Sequence, residues 1–220
     1  MNQKTNHKTK IGIPALTPLI GIGVFVICYV LATLNYPGGN WSSPDHESFS
    51  IWHNYLCDLL DSQAINGEEN SARPYAISAL LALCLGLFTL WIRLPALFIR
   101  KSPNLRVMKV SGLLALATIF FLALGSHDTI VRIAGFFGVI AFTSTLIELF
   151  KAGYGKIFFL GLICLFVFLT NYYIYESGRY ISWLPVIQKI TFVLYIIWFI
   201  GLDLILYRTP KCMAKNNRSY

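Results

Sequence analysis

The chain has 220 residues, of which 56% are hydrophobic and only 13% are charged, and its formal net charge is +8. Soluble domains have about 25% charged residues. This composition therefore excludes an ordinary soluble domain and indicates a protein whose solvent is a lipid bilayer. The positive charge does not indicate a nucleic-acid partner, because the basic residues lie in short segments between apolar runs.

Six apolar runs approach the length of about 20 helical residues that crosses ~30 Å of hydrocarbon. They predict a single-domain, all-α bundle of six transmembrane helices at about residues 15–34, 75–92, 110–125, 129–149, 157–173 and 183–207. The second run could continue along the interface through Pro95 towards Ile99. The third run is short, and Val107 and Met108 could extend it if Lys109 reaches towards the headgroups.

The segments between the runs differ in charge. Thirteen of the 18 basic residues lie in the two tails and in the segments after the second and fourth runs. The loop of residues 35–74 contains six acidic residues and a single basic one, Arg73. The positive-inside rule then predicts that both termini are cytoplasmic and that this loop is outside. The membrane is predicted to be the bacterial cytoplasmic (inner) membrane.

Two interleaved patterns occur between residues 48 and 61 of the outer loop. Apolar side chains recur at helical spacing: Phe49, Trp52, Leu56, Leu59 and Leu60. Asn54, Asp58 and Asp61 form a separate polar stripe at positions i, i+4 and i+7. This pattern predicts a short amphipathic helix that lies on the outer membrane surface or caps the bundle.

The same loop resembles a known family. The similarity lies in Phe49-Ser50, in Asn54-Tyr55-Leu56-Cys57-Asp58-Leu59, in Asn66-Gly67 and in Asn70-Ser71. These residues are similar to an uncharacterised family of six-span prokaryotic membrane proteins, catalogued as domain of unknown function 998 and distantly like the DRAM and Sfk-like proteins. Cys57 and Leu60 replace a serine and a glycine of the family's pattern. The resemblance implies the six-span topology, and the family has no established reaction.

Polar side chains that could act chemically gather on the predicted outer side. The candidate ligand-binding residues are Asn54, Asp58, Asp61, His127, Asp128, Arg132, Arg179 and Lys189. In the first hypothesis they form a polar site on the outer face that binds or senses lipid or envelope components, with membrane lipids as partners. Charged groups near the bilayer are costly and so indicate function. Asp128 and Arg132 could equally be a structural i, i+4 pair in the first turn of a helix.

Two other classes of function remain open. In a metal-assisted hydrolase of a lipid-like substrate, His46, His53 and His127 with Asp58 or Asp61 could bind Zn²⁺ and leave a position for water. The catalytic candidates are then His53, His127 and Asp58, although no H-E-x-x-H spacing is present. A small-solute transporter is the third class, but no internal repeat or matched pair of broken helices is visible.

Two acidic residues lie near the predicted inner side. We interpret Asp203 as a partner of nearby Arg208, and Glu148 with Lys151 as an interfacial ion pair.

Overall fold

The computed structural model describes residues 16–121 and 127–216, with the side chains of residues 16–121 and 128–209. It has six α-helices: α1 (Thr17–Leu34), α2 (Arg73–Arg93), α3 (Pro103–Ile119), α4 (His127–Lys151), α5 (Gly155–Ser177) and α6 (Leu184–Asn216). Short 3₁₀ turns occur at Cys57–Leu59, Leu94–Leu97 and Ile181–Trp183. In the described part of the chain, five helices, all but α3, are long and apolar enough to cross a membrane. The chain is therefore an all-α bundle compatible with a multi-pass membrane protein.

Proline and glycine mark several helix ends. Pro18, Pro74 and Pro103 lie in the first turns of α1, α2 and α3, where the missing N–H would have no intrahelical partner in any case. Gly178 ends α5 in the left-handed region, with a φ of 67°. Its N–H donates to the carbonyl of Ile174 at 3.0 Å, which caps the helix.

The third and sixth runs differ most from their predicted limits, since α6 ends at Asn216 and not near residue 207. Helix α3 begins at Pro103, seven residues earlier than predicted, because Leu105 and Met108 are buried and give its first turns an apolar face. After α2, the 3₁₀ turn Leu94–Leu97 buries both of its terminal leucines, whereas Ile99 is exposed. The predicted end of the third run, at residue 125, lies outside the described residues.

The helices pack as a bundle in which α6 contacts α2 and α4 as well as its neighbours in sequence. Each helix packs against the next, and α6 also packs against α1. Neighbours are antiparallel; for example, Arg132 near the start of α4 contacts Glu176 near the end of α5. We call the end that carries residues 35–72 and the starts of α2, α4 and α6 the loop end. The opposite end, with the starts of α3 and α5, is the basic end.

Two tryptophans join pairs of helices inside the bundle through their indole N–H groups. Trp198 of α6 is fully buried, and its Nε1–H donates to the carbonyl of Ile157 in α5 at 3.0 Å. Trp91 of α2 donates in the same way to the carbonyl of Met108 in α3 at 2.8 Å. Gly112 of α3 leaves room for the Trp91 indole, because a β-carbon at position 112 would lie 1.7 Å from Trp91 Nε1. Both indoles thus combine large apolar burial with a satisfied N–H.

The prediction of an amphipathic helix at residues 48–61 is wrong. This segment contains a single 3₁₀ turn, Cys57–Leu59, and is otherwise irregular. The side chains of Asn54 and Asp58 accept hydrogen bonds from the backbone N–H groups of Ser50 and Tyr55, both at 2.8 Å. Such bonds offer the backbone an alternative to helical pairing. Two members of the predicted polar stripe therefore turn inward: Asn54 and Asp58 are 0% and 4% exposed, whereas Asp61 is exposed.

Candidate functional site

Asn54 is the centre of a buried polar cluster at the loop end. Its Nδ2 group donates to the carbonyl of Gly39 at 2.9 Å and to Asp58 Oδ2 at 3.0 Å. Its Oδ1 atom accepts the N–H of Ser50. These bonds hold three separate parts of the loop together. We call Asn54, Asp58, Gln188 and Lys189 the loop cluster.

Helix α6 contributes the other two members of the loop cluster. Lys189 is half-buried, and its Nζ atom donates to the carbonyl of Asn54 at 2.6 Å and to that of Pro185 at 3.0 Å. It also lies 5.6 Å from the centre of the Phe49 ring, a cation–π distance. The neighbouring Gln188 accepts the N–H of Leu56 through Oε1 at 2.8 Å. The start of α6 therefore fastens the loop by its backbone.

Helices α1 and α2 hold the loop from its other sides. The hydroxyl of Tyr29 in α1 donates to the carbonyl of Leu56 at 2.5 Å. Arg73, the first residue of α2, donates through Nε to the carbonyl of Leu60 at 3.1 Å. Within the loop, Asn70 donates to the carbonyls of Asp58 and Asp61, both at 2.9 Å. The loop is thus a folded cap bound to three helices, and its buried polar groups make hydrogen bonds within the fold.

Burial controls the protonation of the loop groups. It raises the pKa of the Asp58 carboxyl, although the hydrogen bonds from Asn54 and Tyr55 oppose the rise. Burial, with the nearby Asp58 charge, raises the pKa of the Cys57 thiol to about 12. Cys57 is therefore a protonated thiol at neutral pH and a poor nucleophile.

A second group of polar side chains lies at the loop end between α4 and α5. Arg132 binds Glu176 through two bonds, Nε to Oε1 at 2.9 Å and Nη2 to Oε2 at 3.2 Å. The hydroxyl of Tyr175 donates to Asp128 Oδ1 at 2.5 Å. We call these four residues the α4–α5 edge. Both contacts are exposed and join two helices, so Arg132 has a partner on α5 that its helical spacing did not indicate.

The remaining ligand-binding candidates are distributed around the loop end. Asp61 and Arg179 are exposed, and no ion pair joins Arg179 to another described residue. Arg179 follows the end of α5, and large exposed aromatic side chains lie close to it in the sequence: Tyr172, Tyr173, Tyr180 and Trp183. The structure thus joins Asn54, Asp58 and Lys189 in one cluster and Asp128 and Arg132 in another.

The histidines are engaged in local turns. Exposed His46 contacts the carbonyl of Ser48 through Nδ1 at 2.7 Å, and exposed His53 contacts Ser50 Oγ through Nδ1 at 3.1 Å. His127 is the first residue of α4, and its side chain lies outside the described residues. Within the part of the chain that the structure describes, no three His, Cys, Asp or Glu side chains are grouped so that they could hold a metal ion.

Sequence reasoning missed a buried ion pair at the basic end. Asp203 of α6 is 1% exposed and pairs with Arg93 of α2 at 3.4 Å. The short sequence distance to Arg208 suggested a different partner for this carboxylate. The sequence gives no indication that Arg93 and Asp203 form a pair, because the two residues are 110 positions apart.

Glu148 of α4 is also more than an interfacial partner of Lys151. It is 4% exposed, and its Oε1 atom accepts hydrogen bonds from Ser102 Oγ at 3.0 Å and Asn104 Nδ2 at 2.9 Å. Lys151 Nζ lies farther away, at 3.6 Å. Glu148 therefore anchors the first turn of α3.

Comparisons of the chain with protein-family models, with curated proteins and with solved structures found no match. The resemblance of the loop to the six-span family stays a prediction. Any functional assignment therefore rests on the fold and on the geometry of the site.

Proposed function

We propose that this chain is a non-enzymatic protein of the bacterial cytoplasmic membrane whose loop end faces outward and binds lipid or other amphipathic envelope components. The observation that carries the proposal is the exposed Arg179, which stands among exposed tyrosines and Trp183 where α5 meets α6. Amphipathic aromatic rings favour the headgroup level of a bilayer. An arginine at that level presents donors that match a phosphate.

The packing of consecutive helices supports six spans rather than five. Helix α2 ends at the basic end and α4 begins at the loop end, so the chain between them must return along the bundle. Helix α3 makes that return; its 17 residues cover about 26 Å at 1.5 Å per residue. A slightly short helix can be accommodated by local thinning of the bilayer or by side chains that reach the headgroups.

Charge supports the orientation. The basic end carries Arg100, Lys101, Arg106, Lys109 and Lys156, whereas the loop carries most of the acidic residues. Single cysteines introduced at Glu69 and at Lys101, both exposed, test the orientation in intact cells with a membrane-impermeant maleimide. We expect labelling at position 69 and protection at position 101. The reverse pattern would overturn the outward orientation.

The loop cap supports binding rather than catalysis. The sequence predicted that Asn54 and Asp58 belong to a ligand or catalytic site. Their side chains instead make hydrogen bonds within the loop. The cap in turn exposes Ile51 and Trp52 at 65% and 66%. An exposed tryptophan such as Trp52 is favoured at the headgroup level of a bilayer. The amphipathic ligand would therefore meet Arg179 with its polar group and the cap with its apolar part.

Retention of anionic phospholipid by purified full-length protein tests this function. We expect Arg179→Gln to lower the amount retained at the loop end and Arg100→Gln, an exposed arginine at the other end, to leave that amount unchanged. Photo-crosslinking from position 180 reports the loop end specifically. Equal crosslinking of phospholipid in wild type and Arg179→Gln would contradict the assignment.

Metal analysis of the same preparation separates binding from hydrolysis. The non-enzymatic proposal expects no stoichiometric zinc and no effect of a chelator on the thermal midpoint. One zinc per chain that is lost in His53→Ala would replace the proposal with the metal-assisted hydrolase.

A further inference from the structure

An open groove separates α4 and α5 near the basic end. Its volume is about 370 Å³, within the ~300–1,000 Å³ range of small-molecule sites. Two stripes with the same spacing of i, i+4 and i+7 line it: Thr143, Ile147 and Phe150 from α4, and Phe158, Leu162 and Leu165 from α5. We call this the α4–α5 groove. Its walls are apolar apart from Thr143 and Lys151.

The base of the groove is closely packed. Leu146 packs towards Gly161, where an added β-carbon would lie 2.5 Å from Leu146 Cδ2. The rings of Phe150 and Phe158 lie 5.3 Å apart at 47°. Helices α4 and α5 thus meet at these residues and leave the space beside them open to the bilayer.

Lys151 is the charged residue among those that line the groove in the described chain. It ends α4 at the basic end, and its side chain is 60% exposed. Its Nζ atom is 3.6 Å from Glu148 Oε1, beyond hydrogen-bond distance, while that oxygen accepts bonds from Ser102 and Asn104. The ammonium group therefore keeps its donors available for an acceptor above the groove.

We propose that the α4–α5 groove binds one acyl chain of an anionic phospholipid from the leaflet at the basic end, with the lipid phosphate at Lys151. An apolar channel that ends at a cation complements a molecule with an apolar tail and an anionic head. Basic pockets between membrane helices bind anionic headgroups on the same physical grounds. This site lies at the opposite end of the bundle from the proposed loop-end site and does not depend on it.

Native mass spectrometry of the full-length protein in detergent tests the site. Phosphatidylglycerol and phosphatidylcholine with the same acyl chains are titrated separately. We expect the first bound phosphatidylglycerol to bind at least tenfold more tightly than phosphatidylcholine. Lys151→Gln should reduce this preference to less than threefold. Lys101→Gln, which removes another exposed lysine at the same end, should preserve it.

A second variant tests the acyl chain. Leu162→Trp fills the groove and should weaken the first binding event for both lipids, whereas Leu169→Trp, at an exposed position of the same helix, should not. Equal affinities for the two lipids in wild type, or equal effects of Lys151→Gln and Lys101→Gln, would overturn the proposal. A dimer that Leu162→Trp abolishes would show instead that a second copy of the chain fills the groove. Arg179→Gln serves as the reference for the loop-end site, since it should leave this preference unchanged.

Discussion

The loop cluster and the α4–α5 edge are both polar groups at the loop end, but they differ in what holds them. In the loop cluster, Asn54 and Asp58 are buried and bind mainly backbone N–H and C=O groups of their own loop. In the α4–α5 edge, Arg132 and Glu176 bind each other and remain exposed, at 57% and 35%. Buried polar groups lose much more when a partner is removed than exposed pairs do. The first group is therefore structural, and the second can be rearranged at small cost.

Asn54→Ala is the variant with the largest expected effect. It leaves the Ser50 N–H and the Gly39 carbonyl without these partners inside the loop, and it removes one of the two hydrogen bonds that Asp58 Oδ2 accepts. Buried groups without partners cost about 1–3 kcal/mol each, and we expect a loss of ~3 kcal/mol in the free energy of unfolding. Thermal unfolding in detergent measures it. Gln63→Ala, at an exposed position of the same loop, is the control, and equal midpoints for the two variants would refute a structural role for Asn54.

Lys189→Met should have a smaller effect. It keeps the length of the side chain and removes the bonds to the carbonyls of Asn54 and Pro185. A half-exposed site lets water replace part of what is lost, so we expect ~1–2 kcal/mol. The exposed Lys156 provides the matched control, Lys156→Met. Protease cleavage within residues 48–61 should accelerate in Lys189→Met alone, because the loop loses its fastening to α6.

The pH dependence of stability tests the burial of Asp58. Its pKa in the folded protein is raised above the ordinary value of 3.8, so the folded state binds the proton more tightly than the unfolded state. Its contribution to stability is then complete below pH 3.8 and is lost as the pH rises through the folded-state pKa. Asp58→Asn, which can still accept both hydrogen bonds, removes this titration.

We therefore expect the thermal midpoint of Asp58→Asn to increase relative to that of wild type as the pH rises from 3.5 to 8. Measurements at intervals of ~0.5 pH units would follow this change. Parallel pH profiles would show that Asp58 titrates as an ordinary exposed carboxyl.

The smallest effect is expected at the α4–α5 edge. Arg132→Gln and Glu176→Gln each break an exposed pair, and solvent replaces its bonds. We expect thermal midpoints indistinguishable from wild type in 0.15 M salt. A decrease in the thermal midpoint comparable with that of Asn54→Ala would show that the α4–α5 edge is as important to stability as the loop cluster.

Much of the fold could be predicted from the sequence, because long apolar runs have few alternatives to a helix in a bilayer. The predicted limits of the first, second, fourth and fifth runs agree with the helices to within a few residues, whereas the sixth helix continues to Asn216, beyond its predicted end. The start of α3 was missed because Arg106 and Lys109 made an amphipathic helical turn look polar. The candidate site was harder to predict, because Asn54 and Asp58 have the spacing of one face of an amphipathic helix although they lie in an irregular loop.

The sequence by itself determined the all-helical class, the apolar runs and the separation of acidic from basic segments. These depend on composition and periodicity, which are local properties of the chain. Only the tertiary structure decided that Asn54 and Asp58 face inward, that Lys189 fastens the loop, and that Arg93 pairs with Asp203. Those contacts join residues up to 135 positions apart. The free energy of a polar group depends on which distant atoms satisfy it once water has left, and helical spacing along one chain segment does not encode that.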